Sequence, residues 1–359
     1  VDLVDAVRRQ SAACGSMGSP MYAALLARVA DDVEAGGPCA EVLAGHADAP
    51  GPSATALRLA GSVHRLVLQR RAGALATYYP SVGGTWEPEG GWEAFRALVA
   101  AEPAAVQEWL DRPPQTNEVG RSAALMVGLL ALTAQLGDLP VRLVEIGSSA
   151  GLNLLADRFR YTTDDGRTAG PDDSPVTLAG AWTGDVPLHA PWPRVVERTA
   201  TDVMPVDVTT TEGRLALTAY VWPDQTERLE RLRGALALAA ATPVPVRRAG
   251  AAAVVDDLAL VPGALTVLWH SVMWQYLDRD EQHHVRARID ALGAAATPEA
   301  PFAHLVLEPT RRTPESEHEF LVVLRAWPGG ERRVLATSRG HGLPTQWEAG
   351  RESGREASR

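Results

Sequence analysis

The chain has 359 residues, 46% hydrophobic and 22% charged, enough for one large buried core or two modest ones and too apolar for a disordered chain. Acids outnumber bases 44 to 34, a net charge of −10, which speaks against a nucleic-acid binder with a broad basic face but leaves room for a local basic pocket. Two cysteines, Cys14 and Cys39, are too few for a disulfide scaffold or a four-thiolate zinc site and fit a reducing cytoplasm.

Residues 1–135 read as a helical N-terminal domain. Val4, Val7 and Ala12, then Tyr22, Leu25, Leu26 and Val29, recur at helix-face spacing, and Ala54 to Gln69 repeats the pattern. Gly83-Gly84 and Gly90-Gly91 bracket a loop holding Trp86 and Trp92. Glu93 to Leu110 is predicted as one helix ending before Pro113-Pro114. Ala123 to Leu136 follows as a buried helix, an apolar run shorter than a bilayer span. No charged-then-apolar leader opens the sequence, so a cytoplasmic location without a membrane partner is expected.

The period changes over residues 136–349, the expected α/β domain. Arg142 to Gly147 is a short apolar run closed by glycine, a buried parallel strand, and Leu152 to Phe159 reads as a helix after it. Tyr161 to Pro193 reads as an irregular insertion, either bordering a pocket or a surface excursion. Strands are predicted at Arg194–Arg198, Val244–Arg248, Leu265–His270 and His304–Glu308, alternating with helices at Asp224–Ala241 and Asp280–Ala295. Phe320–Ala326 and Arg332–Thr337 form a hairpin through Trp327 to Glu331 that is expected to end the sheet. Residues 350–359 are charged and small, an expected disordered tail.

All 34 basic residues are arginine. The Walker A lysine, the Schiff-base lysine of ordinary pyridoxal enzymes and the strand lysine of protein kinases are therefore missing. Metal sites look poor: His283 and His284 diverge on one helix, and His304 and Glu308 are four apart on a strand.

The sharpest local signal is Val144-Glu-Ile-Gly-Ser-Ser-Ala-Gly-Leu-Asn153, a strand, a small-residue turn and a helix start. It resembles motif I of class I S-adenosylmethionine-dependent methyltransferases, with Glu145, Gly147, Ser149 and Gly151 in the pattern and Ser149 replacing the middle glycine. The resemblance implies a Rossmann-like α/β sheet ending in an antiparallel hairpin, with S-adenosylmethionine as cofactor. It also implies cofactor contacts from Glu145, Gly147, Ser149, Gly151 and Asn153, and a ribose-binding carboxylate at Asp202, with Asp207 as rival. The whole chain is also similar to an uncharacterised, mainly actinobacterial family with a methyltransferase-like core. Gln115 to Arg121, Glu145 to Leu154, Val221 to Gln225 and His270 to Tyr276 carry that likeness.

Candidate chemistry gathers at predicted strand ends, where open parallel sheets bind ligands. His270 is a candidate base and Glu118 a second catalytic candidate. Asn117, Arg121, Gln225, Trp274, Gln275, Tyr276 and Glu308 are candidates for substrate contact. Each has a plainer alternative: Glu118 in a helix cap, Asp224 before Gln225 as an N-cap, and Glu308 paired with Arg311 or Arg312. The expected function is methyl transfer to a small molecule, with the helical domain as a lid and no nucleic-acid partner. Its rivals are a methyltransferase-type fold with a non-methylating or purely ligand-binding role, a nicotinamide oxidoreductase, and a serine hydrolase with Ser149 at a Gly147-Ser-Ser-Ala-Gly151 elbow served by Glu308 and His341.

Overall fold

A computed structural model of the protein describes residues 2–46, 54–111 and 114–348. The expected tail at 350–359 lies outside them. The chain divides into two compact units, Val1–Thr116 with Thr209–Glu230, and Asn117–Val208 with Arg231–Arg359. The break thus precedes the helix Ser122–Leu136 instead of following it, and a later stretch returns to the first unit.

The first unit is helical among its described residues. Its core contains the predicted Tyr22, Leu25, Leu26 and Val29 of the helix Pro20–Glu34, with Leu59, Val63 and Leu66 of the helix Thr55–Leu68. Three expectations are corrected. The predicted helix at 93–110 is two helices, Pro88–Ala101 and Pro103–Gln107, because Pro103 has no N–H to continue the first. Gly90-Gly91 falls inside the first of these, which buries Trp92. Asp224 caps another helix than its own: Oδ1 accepts from Ser19 Oγ at 2.7 Å and Oδ2 from the Met21 amide at 3.0 Å. Cys14 and Cys39 are buried and unbridged.

The second unit is built on a mixed sheet of eleven strands among the described residues. They are β1 (Val141–Ile146), β2 (Arg160–Thr163), β3 (Thr168–Ala169), β4 (Thr177–Thr183), β5 (Val195–Asp202), β6 (Val246–Arg248), β7 (Leu265–Ser271), β8 (Phe302–Thr310), β9 (Glu319–Trp327), β10 (Arg332–Thr337) and β11 (Thr345–Trp347). Their spatial order is β3-β2-β4-β11-β10-β9-β8-β7-β1-β5-β6. The block β6-β5-β1-β7-β8 is parallel throughout. From β8 the sheet turns antiparallel through β9, β10 and β11.

The expected β9–β10 hairpin forms, but the sheet does not end there. β11 joins β10 to β4, and β2 and β3 complete the far edge. The segment 161–193 therefore contributes strands to the sheet, joined by irregular stretches. Its strands are short and broken by Gly and Asp, so no period shows in the sequence; burial of Tyr161 stacked on Trp182, centroids 4.6 Å apart, holds them instead. The helix Ser122–Leu136 is buried nearly all round, and Gly128 admits Leu305 of β8: a Cβ there would lie 2.3 Å from Leu305 Cδ2. With the turn before it, Val119–Leu136 reaches 18 residues, long and apolar enough to cross a membrane by length and composition, but 72% of it is buried inside the protein. The sequence expectation counted a shorter run.

Candidate functional site

Within the parallel block the strands lie in chain order third, second, first, fourth, fifth, so strand order reverses between β1 and β7. Crevices of this kind, at the carboxyl ends of the strands, are where open α/β sheets bind ligands. The glycine loop leaves β1 at this point. Gly147, Ser149 and Gly151 all have left-handed backbone, with φ of 68°, 53° and 72°. At Gly147 a side chain would also press on Met273, its Cβ 3.0 Å from Met273 Cβ.

The loop is tied down by its neighbours. Asp202, at the end of β5, accepts from the Ser149 amide at 2.8 Å and from the Met204 amide at 2.7 Å. The Leu152 amide donates to Asn117 Oδ1 at 2.9 Å, and Ser122 Oγ donates to Asn153 Oδ1 at 2.9 Å. The Ser148 amide donates to Thr201 O and the Gly151 amide to Ser148 O. The expected helix at 152–159 is instead a 3-10 run, Leu152–Arg158. Four of the loop's amides thus serve internal partners.

Glu145 lies on β1 beside Trp269 of β7 and is 2% exposed. Its Oε1 accepts the Trp269 indole N–H at 3.1 Å, whereas Oε2 is buried with no hydrogen-bond partner among the described residues. Burial pushes this carboxyl up to about 8, further raised by Asp202 and opposed by the Trp269 bond, by Arg121 and by the neighbouring Asn153 side chain.

Asn117 to Arg121 forms the turn into the buried helix. Glu118 is buried and its Oε1 accepts from the Gly120 amide at 3.2 Å, a capping contact. Arg121 donates from Nε to Gly340 O at 3.0 Å and from Nη1 to Ser271 O at 3.4 Å, so it ties the end of β7 to a later loop.

A second constellation stands on β7 and β8. His304, Val306 and Glu308 share one face of β8, and His270 of β7 pairs with Val306, between the two polar residues. His270 Nδ1 lies 2.8 Å from Glu308 Oε1, and His270 Nε2 lies 3.1 Å from His304 Nε2. Glu308 Oε1 also accepts from the Met273 amide at 3.0 Å and the Trp274 amide at 3.3 Å. An oxygen receiving backbone N–H groups is an acceptor, so the network assigns the His270 proton to Nδ1. His270 Nε2 then accepts from His304 Nε2–H. Burial, His270 and Arg325 hold the His304 ring well below the usual histidine range. Trp274 stacks on His270, centroids 5.3 Å apart.

These groups open on a cavity of about 370 Å³, a size that suits small organic ligands. His270, Trp274, Gln275 and Glu308, chosen from sequence, line it together. The other five candidates for catalysis and substrate contact do not: Asn117, Glu118 and Arg121 stay in the turn before the buried helix, and Tyr276 and Gln225 lie elsewhere. Tyr276 is 57% exposed and is not in the lining. Gln225 belongs to the helical unit, where its Nε2 donates to Met17 O at 2.8 Å. The pocket residues that sequence reading missed are His304, Arg286, Arg325 and Arg332. Strand alternation put His304 and Glu308 on one face, but the residue bridging them comes from a neighbouring strand. Among the described residues, no group of three or more His, Cys, Asp or Glu side chains is arranged to hold a metal ion.

Fold and site define a protein with an all-helical N-terminal region followed by a mixed β-sheet domain. A family model described as "Uncharacterized protein conserved in bacteria (DUF2332)" matches residues 4–347, and the chain belongs to this family. No curated protein and no solved structure matches it.

Proposed function

We propose that the protein binds S-adenosylmethionine at the loop after β1 and transfers its methyl group to a small molecule. The observation that carries the reading is the position of Gly147–Gly151, at the carboxyl end of β1 where strand order reverses, with Asp202 beside it at the end of β5. We read β6-β5-β1-β7-β8 and the β9–β10 hairpin as a methyltransferase-type core, extended by β11, β4, β2 and β3. The fit of the cofactor rests on Glu145: its buried, unpartnered Oε2 suits the ammonium group of the cofactor's amino-acid end. Gly147, Ser149, Gly151 and Asn153 would border the cofactor, and Asp202 would meet its ribose through lone pairs that the two amides leave free.

The cofactor supplies an activated methyl group on a sulfonium. The chain's own part is alignment and proton handling. Glu308 pins His270 Nδ1–H and leaves Nε2 as the basic nitrogen; a proton taken there is stabilised by the buried carboxylate. An acceptor hydroxyl would replace the His304 N–H at that nitrogen. Trp274 and Gln275 line the same space.

Calorimetric titration of the folded protein with S-adenosylmethionine and S-adenosylhomocysteine, with NAD as control, tests the reading. Micromolar binding of the first two and none of the third is expected. No binding of either removes it and leaves the pocket as a ligand site without this cofactor. One observation favours a second reading, hydrolysis at Ser149: that residue's left-handed backbone suits a strained nucleophile turn. Labelling of Ser149 by a fluorophosphonate probe would support it.

A further inference from the structure

The cavity beside His270 carries an unbalanced positive charge. Along one cross-strand row, His304 of β8 faces Arg325 of β9, and Arg325 faces Arg332 of β10. Like charges directly opposite each other on adjacent strands repel. Arg286, from the helix Arg279–Ala295, adds a third guanidinium, with its Cζ 4.9 Å from the Trp274 ring centre. Near these three stand two carboxylates, Glu308 in the lining and Asp290 outside it, whose Oδ1 lies 2.8 Å from Arg325 Nη1. Arg332 donates to Arg311 O at 3.0 Å, a neutral partner, and Arg286 reaches Gln282 Oε1 at 3.5 Å. Among the described residues, neither has a carboxylate within ion-pair distance. Glu308, the acid in the lining, turns Oε1 to His270 and two amides.

Apart from Gln275 and Thr310, the rest of the lining is apolar: Ile289, Val306, Pro309 and Val323, with the Trp274 ring. An arginine-rich rim over an apolar floor is chemistry for an amphiphilic anion. The guanidinium fork matches a carboxylate with paired hydrogen bonds, and the apolar walls take the body.

We infer that this cavity binds a small organic acid, its carboxylate held by Arg286 and Arg332 and its apolar body lying over Val306 and Val323. The ligand's reacting end then faces His270 Nε2. The inference deepens the proposed function by naming the class of the acceptor, but the binding itself needs no cofactor on the glycine loop. Failure of one and failure of the other are therefore separable.

The test is equilibrium binding to the full chain without cofactor, followed by calorimetry and by Trp fluorescence. The probes are benzoate, 4-hydroxybenzoate and succinate, with benzamide as the neutral counterpart of benzoate. Saturable binding of at least one acid is expected, with benzamide about tenfold weaker than benzoate, the worth of one charge-assisted hydrogen bond. Arg286→Gln and Arg332→Gln should each weaken the acid about tenfold. Arg333→Gln removes the same charge one residue along β10, outside the cavity lining, and should change binding by less than about twofold. Three outcomes overturn the inference: no acid binds the folded wild type, benzoate and benzamide bind alike, or Arg333→Gln weakens binding as much as Arg286→Gln.

Discussion

Glu145 of β1 and Trp269 of β7 pair in the middle of the parallel block, and the indole N–H reaches the carboxyl at 3.1 Å. One oxygen of that carboxyl is satisfied and the other is buried without a partner. An acid in this setting favours its neutral form, and this couples the fold to pH.

The carboxyl stands at about 8 in the folded protein and near the ordinary value, 4.5, in the unfolded chain. Between those values the folded state holds a proton that the unfolded state has lost. Stability from Glu145 is therefore full below about pH 4.5 and falls as pH rises, by about 1.4 kcal/mol per unit, until about pH 8. Glu145→Gln keeps an acceptor for Trp269 and removes the titration. Urea midpoints at pH 6.5 and 8 should fall for the wild type and stay level for the variant. Parallel curves would show that the carboxyl does not titrate there. If S-adenosylmethionine binds as proposed, its ammonium would draw the proton off Glu145. Calorimetry in buffers of different ionisation enthalpy should then show proton release near neutral pH in the wild type and none in Glu145→Gln.

His304 carries the opposite slope. Its folded value lies well below 6.5, so below that pH the unfolded chain binds a proton the folded one refuses. Stability from this ring is present above about pH 6.5 and is lost as pH falls toward its folded value, again by about 1.4 kcal/mol per unit. His304→Gln should hold its stability better in acid than the wild type does. Long-range proton–nitrogen NMR at pH 6 should show His304 neutral with its proton on Nε2, and His270 with a proton on Nδ1. A His304 ring already charged at that pH would contradict the assignment.

Much of the fold is legible in the sequence because buried strands announce themselves locally. Leu265-Thr-Val-Leu-Trp-His270 and His304-Leu-Val-Leu-Glu308 need only their own composition to be found. The strands β2, β3 and β4 at the far end of the sheet do not, since their burial depends on partners distant in sequence, such as Trp182 on Tyr161. The site follows the same division. His270 and Glu308 are visible as strand ends, but their bond depends on the parallel register of β7 with β8, which no local pattern carries. Arg325 and Arg332 look like ordinary surface residues until the antiparallel register places one opposite the other.

Glu308 gathers three donors on one oxygen. Glu308→Ala should leave the Met273 and Trp274 amides and the His270 ring without their acceptor, costing about 2–3 kcal/mol. Glu308→Gln retains an acceptor and should cost about 1 kcal/mol or less. Denaturation midpoints of the two variants separate these outcomes. Equal losses would mean that the hydrogen bonds to this oxygen are not what holds the turn after β7.

Asp202 holds the glycine loop through the Ser149 and Met204 amides. Asp202→Asn keeps one acceptor oxygen and substitutes a donor for the other, so one of the two amides loses its partner at a cost of about 1–2 kcal/mol. Hydrogen exchange should accelerate at Ser149 or Met204 while the β7 amides stay protected. Gly147→Ala attacks the same loop from the other side. The φ of 68° disfavours a side chain, and the added Cβ would press on Met273. About 1–3 kcal/mol of stability should be lost. Gly83→Ala has left-handed backbone too, at φ 88°, but open space at its Cβ, and should lose less. Thermal melts of the two alanine variants side by side isolate the Met273 contact. Equal shifts would show that backbone strain accounts for the whole effect and that Met273 yields freely to the new methyl.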